Sequence, residues 1–394
     1  MPAATRSRPL SIKIALCAVA LMGMGSLAAS AGLSYIADEF PQIPQVWLQL
    51  LVTGPVLLQV PVGLSASWLS SRFSPKTLLL AGIALFLICG VTPFFIHSFV
   101  LLLLLRVLYG AAIGISTTLA SSLCFFYFQN ERARSKAFGL VSAFSMFGGM
   151  YYTYVGGRLS EYGWQYCFLA YLIGIPIFLL VAMCLPDSGC TQAPCRKGLR
   201  TYALRPEVLW VAFLTLVYML LYFAYTNNIS VFVVHSGMGG ASEAGISYSI
   251  VNGCGFLGGL LFSRFYLRTK HWIMPLAYAI TTAGFFIIAL SHTLPSLFAG
   301  SVLIGISIAW VLPQANILYG EIMPPEAMTF TVGITGAIAN LGQLLSTFAL
   351  TGMASLFSVQ DERGVLLMAA AEYIALTAVS AVYIARRTRR AKRI

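Results

Sequence analysis

Apolar residues run along this chain in stretches of roughly 20, the length that crosses the hydrocarbon core of a bilayer, and short polar or turn-rich breaks separate them. The pattern predicts twelve spans: Ile12–Ala37, Val46–Leu69, Thr77–Ile96, Phe99–Phe126, Ala137–Val155, Trp164–Leu185, Val208–Val234, Ala244–Phe262, Trp272–Leu290, Leu297–Gly320, Ala327–Met353 and Val365–Ala385. The longest break, Pro186–Pro206, follows span 6 and divides the chain into halves of six. The expected organisation is a bundle over residues 1–185, a cytosolic linker over 186–206, and a second bundle over 207–394 that ends in a basic tail.

Composition removes the alternatives. Of the 394 residues, 59% are hydrophobic and 9% charged, against about 25% charged in soluble globular proteins. A water-soluble enzyme is excluded, and twelve spans leave no room for a second, soluble catalytic domain. The formal charge of +12 would suggest nucleic acid if it formed a patch. Instead, with the N-terminus inside, all Lys and Arg except Arg106, Arg158 and Arg363 fall on the cytosolic side, which is a topology signal. Both termini are expected in the cytosol, and the partners are the lipid bilayer and a small solute, not nucleic acid. Arg6, Arg8 and Lys13 before an apolar run containing Ala29-Ser30-Ala31 resemble a secretory signal. That run is too long for one, and eleven spans follow it, so it reads as span 1.

Six of the eight cysteines lie in apolar runs, where a thiol behaves as a small hydrophobe. Cys190 and Cys195 share the basic linker, where a cytosolic disulfide is not expected and no nearby His completes a metal set. No cofactor is expected. A Gly-x-x-x-x-Gly-Lys-Ser/Thr loop is absent from the sequence, so a gradient rather than ATP would supply the energy.

The halves repeat each other. Ser71-Arg72-Phe73 after span 2 is echoed by Ser263-Arg264-Phe265 after span 8, and Val107-Leu108-Tyr109-Gly110 in span 4 by Val302-Leu303-Ile304-Gly305 in span 10. The offsets, 192 and 195 residues, nearly agree. Such a parallel repeat relates its halves by an axis along the membrane normal.

With these features the whole chain resembles the major facilitator superfamily of secondary transporters. The basic turns, the Arg-x-x-x-Gly string Arg106 to Gly110 and the string Gly163-Trp164-Gln165-Tyr166-Cys167-Phe168 are similar to that family's motifs. The resemblance implies an all-α membrane protein with two six-helix bundles related by pseudo-two-fold symmetry, rocking about a midplane site. It makes Arg72, Lys76, Arg264 and Arg268 the gating turns. Ser71 and Ser74 stand where the family carries Asp and Gly, and Tyr152-Thr153 stands where its drug antiporters carry Gly-Pro.

Polar residues within spans are the candidates for function. Arg106 offers a bidentate fork to an anionic or carboxylate-bearing substrate; alternatively it bonds carbonyls or Asp38 and holds helices together. Tyr218, Tyr222, Tyr225 and Asn228 share one face of span 7, an aromatic wall with polar tips or a packing surface. Trp310 and Gln314 share a face of span 10. Glu372, deep in span 12, and Asp38, at the outer mouth, are the candidates for proton coupling, with helix support the other reading of Glu372. The four histidines fall at span ends or in loops, which disfavours a histidine relay.

The function expected is secondary active transport of a small organic solute, an organic anion on the strength of Arg106, across a bacterial inner membrane by a functional monomer. Efflux of amphiphilic or aromatic compounds is the alternative. A channel would want a ring of charges or a filter string, and a membrane-embedded enzyme a cluster of catalytic groups. A sensor without transport is the third rival.

Overall fold

The computed structural model describes residues 9–187, 205–323, 327–356 and 361–391. Most of the expected linker, with Cys190 and Cys195, lies outside the described residues. Every regular element described is helical: α1 Pro9–Ala20, α2 Ser26–Ala31, α3 Leu33–Glu39, α4 Gln45–Thr53, α5 Val56–Ser70, α6 Pro75–Val91, α7 Phe99–Tyr127, α8 Glu131–Ser160, α9 Gly174–Cys184, α10 Pro206–His235, α11 Ala241–Thr269, α12 Ile273–Ala289, α13 Leu294–Ile322, α14 Met328–Leu356 and α15 Glu362–Ala391. With no water to take up backbone N–H and C=O groups in lipid, an all-helical chain is one of the two ways to cross it.

Ten described stretches are long and apolar enough to cross a membrane. One of them, Glu243–Ala289, contains two helices, α11 and α12, parted by the short turn Lys270–Trp272. The 30-residue α8 is not among the ten. Glu131, Arg132, Arg134 and Lys136 occupy its first turns, and glycine, serine and tyrosine thin out the rest of its apolar surface.

Several expected spans are broken rather than continuous. Span 1 is split into α1, a 3-10 turn Leu21–Met24, α2 and α3, with glycines 23, 25 and 32 weakening the helix at its joints. Span 2 is split at Gly54-Pro55, and span 6 begins as a 3-10 run over Trp164–Ile173. Elsewhere local chemistry fixes the starts. The Ser74 hydroxyl accepts the Thr77 N–H ahead of Pro75 in α6, and the Asn130 side chain accepts the Arg132 N–H at the head of α8, as N-caps do.

The chain divides into two compact units, Met1–Arg200 with Met323–Ala337, and Thr201–Ile322 with Ile338–Ile394. In the first, α7 packs on α5 and α6, and α9 on α1 and α6. In the second, α13 packs on α11 and α12, and α15 on α10 and α12. The same neighbour pattern thus recurs in each unit.

Candidate functional site

In the first unit, α7 carries Arg106 wholly buried. Its Nε donates to the Leu51 carbonyl at 2.8 Å and its Nη1 to Tyr171 Oη at 2.8 Å. Tyr171 Oη in turn donates to the Gly25 carbonyl at 2.8 Å. That carbonyl is held toward the unit's interior by the tight turn between the 3-10 segment and α2, where it also accepts from Ala28. The guanidinium carbon lies 4.7 Å from the Tyr109 ring centre, a cation–π arrangement. The Tyr171 ring centre lies 5.9 Å from it, and Phe86 and Tyr152 pack on these two rings, with ring centres 5.3 to 5.6 Å apart. Arg106 is thus bonded to the Leu51 carbonyl in span 2 and to Tyr171 in span 6, and through Tyr171 to Gly25 in span 1; Asp38 is exposed and takes no part.

The tie leaves a surplus. Arg106 Nη2 and Tyr152 Oη are buried without partners. Among the described residues no carboxylate forms an ion pair with Arg106. A buried cation without a counter-charge projects a strong field into low-dielectric surroundings.

The repeat provides an internal comparison. Gly110 on α7 sits so close to the Pro55 carbonyl that a Cβ would collide with it, and Gly305 on α13 meets the Val251 carbonyl in the same way. At the offset of 195 residues that relates these glycines, Arg106 corresponds to Ser301. Ser301 Oγ lies 2.7 Å from Ser247 Oγ, which lies 2.8 Å from Tyr225 Oη. The junction of α13, α11 and α10 is thus closed by three neutral hydroxyls. The corresponding junction in the first unit uses a charge.

The span 7 stripe divides into two kinds of residue. Tyr218 and Tyr225 are fully buried. Tyr218 Oη lies 3.2 Å from Thr281 Oγ1, which donates to Ser307 Oγ at 2.7 Å, while Tyr373 donates to the Tyr218 carbonyl at 2.9 Å. Tyr222 and Asn228 are half-buried. Asn228 donates to the Ala224 carbonyl one turn back, at 2.9 Å.

The other candidates are dispersed. Trp310 Nε1 donates to the Gly258 carbonyl at 2.7 Å, binding α13 to α11. Gln314 is wholly buried, with its Nε2 3.5 Å from His271 Nδ1 and its Oε1 unpartnered. Glu372 is half-buried on α15 and makes no hydrogen bond or ion pair among the described residues. Arg72 is exposed, with its guanidinium carbon 4.4 Å from the Trp68 ring centre. Lys76 is half-buried, and Arg264 and Arg268 are exposed.

One cluster escaped the reading of the sequence. His271 Nε2 lies 3.4 Å from Glu321 Oε2, and Arg387 Nη2 donates to the same oxygen at 2.9 Å, joining the turn before α12, the end of α13 and the end of α15. A signal was available: Glu321 is a carboxylate on the face to which the Lys and Arg count assigns almost every cation. Among the described residues no group of three or more His, Cys, Asp or Glu could hold a metal ion.

Comparison with known proteins agrees with this architecture. Residues 14–347 match the sequence family described as Major Facilitator Superfamily. A probable sugar efflux transporter of Mannheimia succiniciproducens is 24% identical over 320 residues, covering 79% of this chain and 78% of that protein. The crystal structure of the human organic anion transporter MFSD10 superposes with a TM-score of 0.74 at 12% identity, over 96% of this chain and 100% of that one. The proton:xylose symporter XylE gives 0.75 at 15% identity, over 96% of each chain. With the repeat, the all-helical fold and the match over most of its length, this chain belongs to the major facilitator superfamily and is a secondary active transporter of a small organic solute, not an enzyme.

Proposed function

We propose that the solute is an organic anion and that Arg106 selects it. The observation that carries this reading is the contrast between the two repeats. Neutral hydroxyls at Tyr225, Ser247 and Ser301 close one junction, so a helix tie alone does not require a buried, uncompensated guanidinium at the other. The surplus charge, with the open Nη2 and the Tyr152 hydroxyl, favours a carboxylate or similar anion as the chain rocks, by field as much as by contact. The organic anion transporter among the similar structures is in keeping with this substrate class.

The wider frame is alternating access by a functional monomer in a bacterial inner membrane. Dividing Glu243–Ala289 into its two helices and adding α8 brings the ten apolar stretches to twelve crossings, six in each half, with halves 1–185 and 207–394 related along the membrane normal. The distribution of Lys and Arg supports cytosolic termini. Arg72, Lys76, Arg264 and Arg268 serve as the gating turns, and Glu372 or Asp38 couples a proton.

Counterflow in liposomes with a panel of organic anions, sugars and hydrophobic cations tests this reading. Exchange confined to anions supports it, and exchange confined to neutral or cationic solutes overturns it. A second reading, export of a neutral polyhydroxylated or amphiphilic compound, is favoured by the sugar efflux relative and by the half-buried Tyr222 and Asn228. On that reading the sugars or cations of the same panel exchange.

A further inference from the structure

The second unit carries a groove of about 600 Å³ between the start of α10 and the end of α15, within the ~300–1,000 Å³ usual for small-ligand sites. Trp210, Ala378, Val379 and Val382 form its apolar wall, and Glu207 and Arg386 stand at its rim. These two charges lie at the ends of two membrane-crossing stretches, Pro206–His235 and Glu362–Arg389, and so at a membrane surface. From Arg386 back to Ala378 the groove descends about 12 Å at 1.5 Å per residue. That is close to half of a hydrocarbon core ~30 Å thick, the depth of one leaflet.

The rim is charged but unpaired. Arg387 is engaged by Glu321, whereas its neighbour Arg386 is exposed and makes no hydrogen bond or ion pair among the described residues, and the same holds for Glu207. One cation and one anion, not bonded to each other, stand above an apolar trough one leaflet deep. We propose that this groove is a phospholipid site whose occupant is a lipid with a primary ammonium head group, phosphatidylethanolamine in chemical class. Its phosphate meets Arg386, its ammonium meets Glu207, and one acyl chain lies along Trp210 and Val382. A purely anionic head group would satisfy Arg386 but set its charge against Glu207. A trimethylated head group has no N–H to donate to the carboxylate.

The test is lipid binding to the purified full-length chain in detergent, read by native mass spectrometry with phosphatidylethanolamine, phosphatidylcholine and phosphatidylglycerol of matched acyl chains. The ethanolamine lipid should bind roughly tenfold more tightly than the other two, the worth of one charge-assisted hydrogen bond. Glu207→Gln should bring it down to the level of the choline lipid, and Arg386→Gln should weaken both. Ala378→Trp keeps both charges but fills the trough, and should abolish the preference. Equal binding of all three lipids means ordinary solvation by the bilayer and overturns the proposal. So does tighter binding of the glycerol lipid, or an ethanolamine preference that survives Glu207→Gln.

Discussion

Arg106 and Tyr171 lie 65 residues apart in sequence and share a hydrogen bond of 2.8 Å in the buried interior of the first unit. Through it a cation on α7 reaches the Gly25 carbonyl in the middle of span 1, while Nε holds Leu51 on α4. Three otherwise apolar segments are thereby joined to one charged centre, which is costly to leave unsatisfied in surroundings without water.

Removing the Tyr171 hydroxyl tests that junction. Tyr171→Phe keeps the ring packed on Tyr109 and Tyr152 but takes an acceptor from Arg106 and a donor from Gly25. It should cost ~1.5–3 kcal/mol, the range for hydrogen bonds to charged groups, measured by denaturant unfolding in detergent micelles. Unchanged stability would mean that Arg106 finds its partners elsewhere.

The paired glycines make a matching prediction in each half. Gly110→Ala and Gly305→Ala push a methyl into the Pro55 and Val251 carbonyls, and overpacking of this kind costs ~1–3 kcal/mol. Gly157→Ala is the control, since its nearest neighbour would be 3.9 Å away. Thermal midpoints should fall for the first two and hold for the third. An unaltered midpoint for Gly305→Ala would break the equivalence of the halves.

The tyrosine stripe should separate by measurement as it does by burial. Tyr218→Phe and Tyr225→Phe break buried hydroxyl contacts and should lower stability by ~0.5–1.5 kcal/mol with little change in solute affinity. Tyr222→Phe should leave stability unaltered and weaken solute binding. If Tyr222→Phe transports like the parent, the stripe is packing throughout.

Orientation is open to a chemical test on the linker cysteines. Cys190 and Cys195 should resist a membrane-impermeant thiol reagent in intact cells and react in inside-out vesicles. Labelling from outside would reverse the inferred topology.

The family, the repeat and all the membrane-length apolar stretches but that of α8 were legible because each rests on apolar run length or on strings such as Arg106 to Gly110, which sequence carries directly. The breaks in spans 1 and 6 were not, because apolar periodicity does not separate a 3-10 turn such as Leu21–Met24 from an α-helix. Arg106 was found as a rare charge in lipid, but its partners were hidden: Leu51 and Gly25 contribute carbonyls, which every residue has, and Tyr171 is one of 19 tyrosines. The single face of Tyr218, Tyr222 and Tyr225 was visible as a spacing. What the spacing lacked was the neighbours, Thr281, Ser307, Ser247 and Ser301, small hydroxyls that in sequence look like ordinary packing residues.

The central claim is that this transporter selects a negatively charged solute through a buried cation. Its most direct test is competitive counterflow in liposomes between a carboxylate substrate and its neutral amide analogue, for the parent and for Arg106→Gln. The parent should prefer the carboxylate by about tenfold or more, equivalent to ~1.4 kcal/mol, and Arg106→Gln should lose that preference. Equal transport of acid and amide by the parent, or a preference for the acid retained by a folded Arg106→Gln protein, would contradict it.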